Sequence, residues 1–139
     1  MKQKLVGTYW LDDFCVRLFL REGEDGAEFD TCPKKGETMR LRIGADYTRF
    51  DYVTGLLMHE TLEALLAMGN HRFQCSSNRS WSGDRYIFHL DHAQFAEIAA
   101  KAGEFFHDCF ADFKKAWYSW KRDSTKKPKP KKKKRRKNE

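Results

Sequence analysis

The chain has 139 residues, of which 40% are hydrophobic and 14% aromatic, enough for one domain with a packed core and too apolar for a fully disordered chain. Its net charge of +7 is unevenly placed: residues 121–139 hold 12 Lys/Arg and 2 Asp/Glu, a net of +10, whereas residues 1–120 hold 15 and 18, a net of −3. The overall charge therefore says nothing about a basic binding face on the folded part, no run nears the roughly 20 apolar residues of a membrane span, and Met1–Tyr9 lacks the apolar stretch of a secretory signal, so the expected setting is the cytoplasm, without membrane partners.

In chain order, Leu5–Trp10 is rich in β-formers and Val16–Leu20 is short and apolar. With Asp12-Asp13 as a turn between them, the two predict a hairpin. Residues 22–36, with Gly23, Gly26, Pro33 and Gly36, read as a polar loop. Met39-Arg40-Leu41-Arg42-Ile43 alternates with period two and predicts a third strand with one buried face. A helix is expected over about 52–68, N-capped by Asp51 and closed by Gly69. Residues 70–85 read as a loop, and Tyr86-Ile87-Phe88 as a short strand or packed loop. The long helix after it is predicted to start at Asp91, with Gln94 completing a capping box. Phe95, Ile98, Ala102, Phe105, Cys109, Phe113, Trp117 and Trp120 recur along it at helical spacing. The expected fold is therefore α+β: a small antiparallel sheet of about three strands against two helices, in a domain over residues 1–120, followed by a basic disordered tail over 121–139.

The four cysteines, Cys15, Cys32, Cys75 and Cys109, include no Cys-x-x-Cys pair. In a cytoplasmic chain they are read as reduced thiols rather than as a metal site or disulfide framework.

The chemistry concentrates in the first helix. His59, Glu60 and Glu63 stand together on a helix whose neighbours are Leu56, Leu57, Met58, Leu62, Leu65 and Leu66, with no Lys or Arg between Tyr52 and Met68. Residues 59 and 63 are one turn apart and share a face, with 60 beside them. An imidazole and a carboxylate at this spacing can both reach one ion, and the residue after the histidine is placed to take a proton from water on it. The helical zinc-protease signature uses this geometry with histidine in the fifth position; Glu63 stands there here, a harder donor and less selective for zinc. The bland alternative is a small wet face with His59 bonded to a carboxylate. Two ligands make a weak site, and His71, His89, Asp91, His92 and His107 are candidates for a third. His107, among Phe105, Phe106 and Phe110, reads as structural.

The segment Leu57-Met58-His59-Glu60-Thr61-Leu62-Glu63-Ala64-Leu65 resembles a family of small phage- and prophage-encoded minimal zincins, which carry a His-Glu-x-x-Glu or His-Glu-x-x-His helix followed by Ala-Leu. The family's short sheet leading into that helix is similar to Met39–Ile43, and its second helix, beginning near Leu-x-His, is similar to Leu90-Asp91-His92. The resemblance covers roughly residues 39–112. It implies His59, Glu63 and His92 as ligands of zinc or another divalent metal, Glu60 as the water-activating base, and a peptidase-like activity on a protein or peptide substrate. The long loop of residues 70–89 and the basic tail depart from the family's pattern.

The run from Lys126 to Lys137 is a polycation suited to nucleic acid or an acidic partner through counterion release; in a eukaryotic host it would also serve as a nuclear import signal. Two readings therefore stand side by side: a metal-dependent hydrolase, and a non-catalytic phage accessory protein that binds a host factor or nucleic acid through its loop and tail. A cysteine-stabilised interaction module is a third.

Overall fold

The computed structural model describes residues 1–30, 37–74 and 86–126. Strands β1 (Gln3–Leu11), β2 (Phe14–Arg21), β3 (Ala27–Phe29) and β4 (Met39–Gly44) form one sheet in the order β1-β2-β4-β3. Helix α1 (Phe50–Met68), a two-stranded ribbon of β5 (Arg72–Gln74) and β6 (Tyr86–Phe88), and helix α2 (His92–Thr125) complete the chain. The α+β architecture expected from the pattern is present.

The β1/β2 hairpin forms as expected. Asp12 takes φ 54° in the turn, a left-handed conformation that Asp tolerates because its short side chain bonds locally. A register shift between Leu5 and Gly7 bulges β1.

The sheet has four strands and is mixed, where about three antiparallel ones were expected. β4 pairs parallel to β2 and antiparallel to β3. The extra strand lies inside the predicted glycine loop and reverses the chain once more before β4 inserts between β2 and β3. Three residues are too few to show an alternation, so β3 left no sequence signal. The parallel register sets Val16 opposite Met39, Leu18 opposite Leu41 and Leu20 opposite Ile43, and all six are fully buried.

Both helices pack into this core, α2 against β1 and α1 against β3 and β4. Val53, Leu57, Ala64 and Leu65 enter it from α1, and Ile98, Phe105, Cys109, Phe113, Trp117 and Trp120 from α2. The exposed stripe member is Phe95.

The helix ends refine the sequence reading. Asp51 does not cap α1: the N-cap is Arg49, without a side-chain bond, and Asp51 sits in the first turn, accepting from Arg49 Nε at 3.0 Å. That bond holds the Asp51 carboxyl below its ordinary pKa. Gly69 is the C-cap, but its φ of −79° is ordinary; the left-handed residue is Asn70, at φ 58°. With Asn70 N–H bonded to Ala67 O and His71 N–H to Leu66 O, the end is a Schellman motif whose glycine place is filled by asparagine. At α2, Asp91 and Gln94 form the predicted capping box, both bonds 2.8 Å.

α2 runs to Thr125, past the expected limit at Trp120, so residues 121–125 belong to the folded part. Lys121 explains why: it lays its stem along the helix, Nζ donating to Asp46 O at 3.0 Å and lying over the Trp117 ring, as long cationic side chains do at apolar edges. Among the described residues no helix is long and apolar enough to cross a membrane. The tail from residue 127, the serine-rich segment 75–85, Cys32 and Cys75 lie outside the described residues.

Candidate metal centre

The site is built on the middle of α1. Glu60 belongs to the buried line of that helix together with Val53, Leu57, Thr61, Ala64 and Leu65. Packing of Leu57, Ala64 and Leu65 fixes the helix roll and so fixes where residues 59, 60 and 63 emerge. Thr61, buried in the same line, meets its hydrogen-bonding need by donating to Leu57 O at 2.7 Å, the usual refuge of a mid-helix hydroxyl.

His59 Nε2 lies 3.2 Å from Glu63 Oε2 and 3.8 Å from Glu60 Oε1. Ligand atoms of the three residues lie within 4.8 Å of one another, the one such group of His, Cys, Asp or Glu among the described residues. The His59 side chain is 67% exposed, Glu63 18% and Glu60 9%. The imidazole thus faces solvent while the carboxylates sit deeper, a gradient that leaves the outer side of the group open. Two donors about 2 Å from a tetrahedral ion stand roughly 3.3 Å apart, so the His59–Glu63 spacing suits a shared divalent cation. It equally suits an imidazole–carboxylate hydrogen bond.

The other histidines stand apart from this group. His92 opens α2 and is exposed; it does not join His59 and Glu63. The reason lies in how the helices meet. Met58, Thr61 and Leu62 share an apolar groove with Phe95, Ala99 and Phe106, so α2 packs beside the 58/62 edge of α1. That edge is one residue, about 100°, around the helix from 59/63. His71 and His89 face each other at the base of the ribbon, where His89 N–H donates to His71 O at 3.0 Å and His71 Nδ1 lies 3.2 Å from His89 O. Asp91 is occupied as a cap. His107 is exposed beside Asp108 rather than packed among phenylalanines, because position 107 falls at the open rim of that apolar groove.

A cavity of about 600 Å³ opens beside His59, with Tyr47, Arg49, Asp51, Tyr52 and Leu56 among its walls. Tyr47 and Tyr52 touch at 4.7 Å between centroids, their ring planes tilted by 48°. Gly55 also lines it, and a Cβ there would meet nothing within 4 Å. Sequence reasoning did not find this groove. Its signal is the aromatic pair that brackets the start of α1, visible only once Tyr47 and Tyr52 are known to flank a helix end.

No family model, curated protein or solved structure matches the chain.

Proposed function

We propose that the chain is a metal-dependent hydrolase of zincin-like type that uses a metal-activated water, with a protein or peptide as its substrate. The observation that carries it is the convergence of His59 Nε2, Glu60 and Glu63 within 4.8 Å beside a groove large enough for a small ligand.

In this reading His59 and Glu63 hold the cation, preferably zinc, from adjacent turns. When bound, a divalent cation in such a site lowers the pKa of water toward about 7 and polarises a carbonyl. Glu60, the deepest of the three, accepts the proton from the attacking water and returns it to the leaving amine. The partial burial of Glu63 limits competition from water. The open side at His59 admits the substrate along the wall of Tyr47, Tyr52 and Leu56.

The test is elemental analysis of the purified protein beside a His59→Ala variant. Near-stoichiometric zinc in the parent and none in the variant is expected, with Glu60→Gln keeping its metal while losing turnover of a peptide library. Absence of metal from the parent, with added zinc failing to raise the melting temperature, would reduce the trio to a hydrogen-bonded polar face.

A further inference from the structure

We infer that the last four turns of α2 form a nucleic-acid-binding stripe, in which Lys114, Lys115 and Arg122 contact phosphates and Tyr118 stacks on a base of a single strand. The helix changes sign along its length. Residues 92–113 carry Glu97, Glu104, Asp108 and Asp112 against Lys101 alone, whereas residues 114–126 carry Lys114, Lys115, Lys121, Arg122 and Lys126 against Asp123. Positions 114, 118 and 122 fall one above another at i, i+4 and i+8, with 115 beside them, over about 12 Å.

Ordinary helix chemistry does not account for these cations. A basic residue in the final turn complements the helix dipole, which covers Arg122, but Lys114 and Lys115 lie two to three turns earlier, beyond the reach of that effect. Neither has a carboxylate four residues away, and Asp112, three residues before Lys115, accepts from Tyr9 O–H instead. Lys114, Lys115 and Arg122 make no ion pair among the described residues, and all three are exposed. Lys121 differs, being turned inward to Asp46 and Trp117.

Tyr118 decides the class of partner. Trp117 and Trp120 of the same segment are buried, but Tyr118, which rests against Phe50 at 5.7 Å and edge-on against Trp117 at 5.1 Å between centroids, is still 47% exposed, between Lys114 and Arg122 on the stripe. Cations flanking an aromatic ring that is held from behind and half exposed are the pairing that binds a single strand, phosphates on the former and a base on the latter. In sequence the stripe is followed by residues 126–137, which hold ten Lys/Arg and no acidic residue.

The experiment uses the full chain and fluorescence anisotropy of a labelled single strand of about 20 nucleotides, a length that spans a typical binding site. Combined Lys114→Gln, Lys115→Gln and Arg122→Gln substitutions should make the dependence of log K on log salt shallower by about 2. Tyr118→Ala should weaken binding about ten-fold with the slope unchanged. Lys101→Gln, on the acidic part of α2, should change neither. Melting temperatures confirm that each variant is folded. Wild-type affinity and slope in the triple variant would overturn the inference, leaving binding to the tail alone. Poly-glutamate displacing the strand equally well at matched charge, with Tyr118→Ala silent, would overturn it in favour of an acidic protein partner.

Discussion

His59 and Glu63 meet at 3.2 Å across one turn of α1, a spacing set by the helix itself rather than by any loop. It follows that the fifth position of the motif can be exchanged without rebuilding the site. Glu63→His would supply a softer donor in the same place. Imidazole favours zinc, whereas carboxylate oxygen also accommodates manganese and magnesium. The expected outcome is tighter zinc binding and a larger zinc-over-manganese preference in Glu63→His, measured by competition titration with a chromophoric chelator. Equal preference in both proteins would remove Glu63 from the ligand set.

A second anchor lies at the far end of the core. Trp120 Nε1 donates to Asp46 Oδ1 at 2.9 Å, while Gly23 N–H donates to the other oxygen of the same carboxylate and Trp117 Nε1 donates to Ala45 O at 3.1 Å. Asp46 therefore ties α2 and the β2–β3 turn to the segment that launches α1. Asp46→Ala strands a buried indole N–H, a loss of about 2 kcal/mol. Urea unfolding should show that loss, whereas Asp13→Ala, in an exposed turn, should stay within about 0.5 kcal/mol of the parent.

The fold class, the first hairpin, the β4 alternation and the α2 capping box were legible because each rests on a local rule: period two, period 3.6, or a side chain bonding its own backbone. The parallel β2/β4 pairing was not, since it depends on where a three-residue strand with no pattern of its own comes to rest. The α1 start was misplaced by two residues because Asp51 is a good cap by type, yet Arg49 engages its carboxylate from outside the helix. For the site, residues 59, 60 and 63 were legible because helical spacing alone brings them together. His92 was a question of helix–helix rotation, which the sequence does not encode locally, and the groove at Tyr47 and Tyr52 depends on the turn between β4 and α1.

Burial gives the protein an alkaline limit. The Cys109 thiol is pushed up to about 12 from an ordinary 9.0, first by desolvation and further by Asp108 and Asp112. Tyr9 is raised as well, by burial and by its hydrogen bond to Asp112. A proton held more tightly in the folded state stabilises fully below the unfolded pKa. That contribution is lost as pH climbs from about 9 toward 12. The urea midpoint should therefore fall across this window, and Cys109→Ala should lower stability at pH 7 by about 1 kcal/mol while flattening the decline. At pH 8, Cys109 should resist a thiol reagent that labels the half-buried Cys15.

Gly55 separates stability from function in the proposed site. It lies inside α1, exposed, with open space where a Cβ would stand. A glycine in a helix interior costs about 1 kcal/mol relative to alanine, so Gly55→Ala should raise stability by roughly that amount without narrowing the groove. Gly55→Trp places a large ring in the same space, beside Leu56 and His59. In a hydrolase that uses this groove, the tryptophan variant should bind zinc as the parent does but lose most of its turnover, and the alanine variant should keep it. Full turnover in Gly55→Trp would move the substrate path away from the Tyr47–Tyr52 wall, even with the metal centre intact.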